Sequence, residues 1–85
     1  LEILTYIRIN KRAPRNYVGG RIFYNREKRL PILNENSQKI NYREWDVHEK
    51  VKGVNRGPER LITSEETAYY TKDHYKTFIY IKEIH

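Results

Sequence analysis

The apolar positions of this 85-residue chain change period once. In residues 1–10, Ile3, Leu4 and Ile7 recur at i, i+1 and i+4, and this single stripe predicts a short helix that ends before Pro14. Leu1 is already apolar and no capping residue precedes it, so the natural chain is expected to begin earlier. After Gly19-Gly20 the pattern becomes strand-like. Residues 21–25, 40–48, 61–64, 67–71 and 75–84 are rich in Ile, Tyr, Phe, Val and Thr, side chains that suit a pleated, half-buried surface. Turn formers separate most of them, at 34–37, 53–58 and 72–73. Short links of this kind pair neighbouring strands antiparallel. The expectation is one α+β domain over residues 1–85, with a short N-terminal helix packed on a twisted antiparallel sheet of about five strands. One sheet face would be buried and the other open.

Alternation along 40–48 sorts its side chains. Tyr42, Glu44, Asp46 and His48 point one way, and Arg43, Trp45 and Val47 the other. Trp45 and Val47 mark the core side, which places Glu44 and Asp46 on the open face, where a neighbouring strand starting near Arg60 can set a guanidinium opposite them. On composition alone such groups are solvated charges.

Size and charge narrow the possibilities further. Eighty-five residues lie near the lower limit for a core that folds unaided. Lys and Arg number 17 against 11 Asp and Glu, giving a net charge of +6 that suits a polyanionic partner. There is no cysteine, hence no disulfide, thiolate metal site or thiol nucleophile. His48, His74 and His85 lack a metal-ligand spacing, and no apolar run approaches the roughly 20 residues of a membrane-spanning helix. Neither a metal, a cofactor nor a membrane is expected.

The remaining signal lies in blocks. Gly19-Gly20-Arg21-Ile22-Phe23-Tyr24-Asn25-Arg26-Glu27 is followed by Leu30-Pro31, Tyr42-Arg43-Glu44, the pair Arg56 and Arg60, and Tyr70-Thr71-Lys72-Asp73-His74-Tyr75-Lys76-Thr77-Phe78. In order and spacing, from Tyr17 to Ile84, they resemble the microbial guanyl-specific ribonucleases of the barnase type. The resemblance implies the microbial ribonuclease fold and a metal-independent endoribonuclease acting on single-stranded RNA. Longer members carry a second helical segment with an active-site lysine, which has no counterpart where this chain runs from Asn16 into Gly19-Gly20.

Carried over position by position, the resemblance makes Glu44 the general base, His74 the general acid, and Arg56 and Arg60 the grip on the phosphate. The chemistry suits these residue types. RNA carries its own nucleophile, the 2′-hydroxyl, so the protein need only move protons and stabilise charge. An imidazole with an ordinary pKa of about 6.5 keeps a protonated fraction near neutrality. Asp46 is expected to hold the arginines, although Glu59 could tie up either one. Phe23, Tyr24, Asn25, Arg26 and Glu27 correspond to the family's guanine pocket, with the Glu27 carboxylate accepting from N1–H and N2–H, donors that adenine lacks as a pair. Phe23 and Arg26 would offer stacking surfaces, Tyr75 would pack on the nucleotide, and Tyr24 would contribute its backbone. Trp45, Tyr69, Tyr70, Phe78 and Tyr80 are read as sheet packing. His48 is read as a bystander and His85 as part of a purification tag.

Two other readings stand beside this one: a non-catalytic basic nucleic-acid-binding module, and a basic face made to meet an acidic partner. The resemblance also implies an acidic inhibitor or immunity protein of the barstar kind, a monomeric enzyme, and secretion or delivery as a toxin domain.

Overall fold

The computed structural model describes residues 2–83. Helix α1 spans Glu2–Asn10, and five strands follow: β1 Gly19–Phe23, β2 Tyr42–Asp46, β3 Arg60–Thr63, β4 Ala68–Thr71 and β5 Ile79–Ile81. The strands lie in chain order in one antiparallel sheet, each paired with its sequence neighbour. The α+β architecture expected from the sequence is therefore present. His85 and the last position of the expected fifth strand, Ile84, fall outside the described residues.

Helix α1 begins with Glu2 and carries Arg8 in its last turn, both favourable for the helix dipole. Its buried Leu4 and Ile7 pack with Trp45, Leu61 and Ala68 into one core. Arg8 fastens the helix to the sheet. Its guanidinium grips Glu83 at 2.8 and 2.9 Å and also donates to the carbonyls of Ser64 and Thr67. The Trp45 indole N–H donates to the Thr63 hydroxyl, so the largest core side chain buries no orphan donor.

The opposite face is not open, which corrects the expectation from alternation. Leu30, Tyr42 and Ile62 form a second buried cluster there, joined by Phe23, Ile40, Tyr69, Tyr75 and Phe78. Loops cause the difference. The connection between β1 and β2 folds Leu30 onto the face, and the connection between β4 and β5 brings Tyr75 and Phe78 down on it. Asp46, expected at an exposed position, is only 3% exposed, with the Arg56 and Arg60 side chains against its carboxylate. The same packing shortens the predicted strand 75–84 to Ile79–Ile81, because 75–78 serve as a loop whose aromatic rings are core.

At the start of β1 the register shifts. Gly19 faces Trp45 but Arg21 faces Glu44, leaving Gly20 as an extra residue in a bulge. Glycine is required at both positions. A Cβ on Gly19 would lie 2.9 Å from the Trp45 Cα, and Gly20 has a φ of +90°. The bulge turns Arg21 onto the same face as Glu44.

Candidate active site

On the loop-covered face, one row of the sheet reads Asp46, Arg60, Thr71 across β2, β3 and β4. Asp46 sits between two arginines. Arg56, from the loop before β3, donates from Nε and Nη2 to its two oxygens at 2.7 and 2.5 Å, and Arg60 Nε lies 3.3 Å from Oδ1. Arg60 is itself buried and also donates from Nη1 to the carbonyls of Gly57 and Glu59. A lone buried guanidinium would be costly, and the shared carboxylate with two carbonyls offsets that cost. The hydrogen bond to Asp46 pushes the Arg56 pKa further up, so this cation stays charged at any working pH.

Glu59 does not tie up either arginine, contrary to the alternative its position suggested. Its carboxylate accepts a very short hydrogen bond from the Tyr70 hydroxyl and pairs with His48 at 2.7 Å. The Tyr70 bond is the first cause of a lowered Glu59 pKa. His48, read as a bystander at a strand end, lies beyond β2 in this cluster. Tyr70 is therefore more than packing, whereas Trp45, Tyr69 and Phe78 do belong to the two cores and the more exposed Tyr80 packs edge-on against the Tyr69 ring.

Thr71, the end of the row, builds the next loop. Its hydroxyl donates to Asp73 Oδ1 at 2.9 Å and accepts the Tyr75 N–H at 3.1 Å. Asp73 in turn accepts the backbone N–H and the hydroxyl of Thr77. These bonds, with the Thr77 hydroxyl first, hold the Asp73 pKa down at about 2. The closed turn supports two consecutive residues with left-handed backbone, His74 at φ 54° and Tyr75 at φ 71°. Through its N–H, His74 bonds the Pro58 carbonyl in the arginine-bearing loop. The imidazole is exposed, with its ring 5.0 Å from that of Tyr75.

Tyr75 links the parts. Burial and then the nearby Glu44 carboxylate push its phenol up to about 12, and the hydroxyl interacts with both Glu44 and Arg60. Glu44 is partly buried on the same face, with Arg21 Nη2 at 3.5 Å. The sequence did not single out Arg21 for the site, because its facing depends on the Gly20 bulge.

Beside Glu44 opens a cavity of about 240 Å³, lined by Ile22, Phe23, Tyr24, Asn25, Arg26 and Glu27 from one side and Tyr75 and Phe78 from the other. All six residues expected to bind substrate thus surround one space. Their details differ from expectation. Phe23 stacks on Tyr75 with ring centroids 5.1 Å apart and belongs to the second core. The Asn25 amide is engaged in closing its own loop, donating to the Leu30 carbonyl at 2.9 Å and accepting the Leu30 N–H at 3.1 Å. Arg26 lies over the Tyr24 ring at 5.0 Å. Glu27 is exposed and paired with Arg29 Nε at 2.8 Å, while Arg29 Nη1 donates to the Lys76 carbonyl. Arg29, which no pattern in the sequence marked, therefore bridges the loop bearing Glu27 to the loop bearing His74. No group of three or more His, Asp or Glu side chains among the described residues is arranged to hold a metal ion.

Two outcomes are expected from this geometry. Asp46→Ala strands the buried Arg60 charge and should cost about 3–5 kcal/mol, read as a lowered midpoint in urea unfolding. The Asp73 carboxylate supports its loop fully above its ordinary pKa, and that support is lost as pH falls through about 2. The NMR signal of the Thr77 amide, which bonds Asp73 directly, should accordingly show a transition at about pH 2, and Asp73→Asn should abolish it.

A family model described as ribonuclease matches residues 4–82. Over 70 residues, 82% of this chain, it is 36% identical to a ribonuclease of Heyndrickxia coagulans, of which the match covers 60%. Ribonucleases of Bacillus intermedius and Bacillus pumilus are 36% identical over the same length, and the match covers 40% of each. The chain thus spans from two fifths to three fifths of these relatives. With the family model matched almost end to end on a helix and a five-stranded antiparallel meander, the chain belongs to the microbial ribonuclease family.

Proposed function

We propose that this domain is a guanyl-preferring endoribonuclease that cleaves single-stranded RNA without a metal ion. The observation that carries the reading is the convergence of Glu44, Arg56, Arg60 and Tyr75 beside the cavity lined by Phe23 to Glu27. Guanine occupies that cavity, with Glu27 released from Arg29 to accept its N1–H and N2–H. Tyr75 and Phe23, already stacked, form the apolar floor.

Glu44 takes the proton of the 2′-hydroxyl as the 2′ oxygen bonds to phosphorus. His74 gives a proton to the 5′ oxygen as the P–O5′ bond breaks, leaving a 2′,3′-cyclic phosphate. Ring opening runs in reverse roles: His74 accepts a proton from water, Glu44 returns one to the 2′ oxygen, and a 3′-phosphate remains. Arg56 and Arg60 stabilise the charge that builds on the phosphoryl oxygens. Being fixed in advance on Asp46, they need no reorganisation during the reaction. Tyr75, protonated up to about pH 12, donates to Glu44 or to the phosphate rather than exchanging protons with either. The +6 charge draws in RNA, and it also favours an acidic inhibitor seated over the cationic groove. The reading includes action as a monomer, and secretion or delivery as a toxin domain.

Digestion of a mixed-sequence RNA in EDTA should yield fragments ending in guanosine 2′,3′-cyclic phosphate and later 3′-phosphate. RNA bound but left intact would instead favour the non-catalytic binding module. Glu44→Gln and His74→Ala should each slow cleavage of a GpN dinucleotide by about 10² to 10⁴ with unchanged circular dichroism. Glu27→Ala should erode the preference for GpN over ApN more than it slows opening of a cyclic phosphate. Selectivity retained in that variant would take Glu27 out of the pocket.

A further inference from the structure

Arg21 stands out among the cations around Glu44 because little holds it. Arg56 commits Nε and Nη2 to Asp46, and the buried Arg60 commits Nε to Asp46 and Nη1 to two carbonyls. The Arg21 side chain, by contrast, is 55% exposed and reaches a single Glu44 oxygen at 3.5 Å, beyond ordinary N–H···O distance. Its placement is nevertheless specified. The bulge at Gly20 puts Arg21 directly opposite Glu44, and Gly19, paired with Trp45 just before it, approaches too closely for any side chain. A guanidinium aimed at a carboxylate yet loosely engaged can be drawn off by a stronger anion.

We infer that Arg21 is a third substrate-binding guanidinium, which exchanges Glu44 for a non-bridging phosphate oxygen when RNA enters. The inference rests on the ribonuclease reading and adds a residue to it. Without substrate, Arg21 offsets the charge of the partly buried Glu44. With substrate, its donors turn to the phosphate from the β1 side, opposite Arg56 and Arg60, and Glu44 is left free to face the 2′-hydroxyl. The phosphate is then held from two sides, which orients the 2′ oxygen, phosphorus and 5′ oxygen for in-line displacement.

The test compares wild type, Arg21→Ala and Arg21→Lys. Guanosine 3′-monophosphate, titrated by calorimetry, reports the phosphate contact without turnover. Arg21→Ala should weaken its binding by about tenfold to a hundredfold, and guanosine, which lacks the phosphate, should bind all three proteins alike. Arg21→Lys should recover part of the loss, since an ammonium supplies charge without the fork. On GpN dinucleotides, kcat/KM of Arg21→Ala should fall to a similar degree. On single-stranded RNA the slope of log kcat/KM against log salt should become shallower by about 0.7, one phosphate contact. Unchanged nucleotide affinity would make Arg21 a surface ion pair, and faster turnover in Arg21→Ala would make it an obstruction over Glu44. Either result overturns the inference while leaving the ribonuclease reading intact. A wild-type protein that binds the nucleotide but does not cleave RNA would overturn that reading without touching the contact measured here.

Discussion

Two guanidiniums, one of them buried, can be held side by side only if something between them carries the opposite charge. Asp46 does this from β2, with Arg60 opposite it on β3 and Arg56 reaching in from the preceding loop. The sheet register fixes one pair, and the loop is fastened by the other. A surface ion pair would contribute little, but burial alters the balance: the carboxylate is almost fully enclosed, so each arginine loses much more if it departs. The cationic patch is therefore part of the fold and does not depend on a bound anion to assemble.

Around that clamp the site is divided between rigid and adjustable parts. Glu44 and Arg60 stand on central strands. The cavity wall from Tyr24 to Glu27, which continues β1 past Phe23, and the turn bearing His74 are loops, yet each is closed by its own side chains: Asn25 on Leu30, Thr71 and Asp73 on Tyr75 and Thr77. Arg29 joins the two loops across the cavity mouth. The stacked rings of Phe23 and Tyr75 then give both loops a common apolar anchor. Groups expected to recognise a base and groups expected to move protons are thereby mechanically connected.

Much of this was legible in the chain. The change of apolar period after Gly19-Gly20 marked the transition from helix to sheet, and the Tyr42–Asp46 alternation put Glu44 and Asp46 on one face. Long-range packing was not legible. Period-two alternation cannot reveal that a loop will fold over a polar face, so by itself it leaves Asp46 on an open face. Nor can it distinguish an aromatic residue in a strand from one in a loop that is equally buried, hence the overlong fifth strand. A bulge adds one residue without altering composition, and it alone decides that Arg21 and not Gly20 meets Glu44. The Arg29 bridge joins residues 47 positions apart and leaves no local trace.

The connectivity of the sheet has its own consequence. Every strand pairs with the one next to it in the chain, and no crossover threads past another element. Assembly can proceed hairpin by hairpin, with modest loop-closure entropy at each step. The sequence contains no cysteine, so refolding needs no oxidant or isomerase to sort thiols. Recovery of the Asp46 clamp after unfolding therefore calls on nothing beyond the side chains of the chain itself.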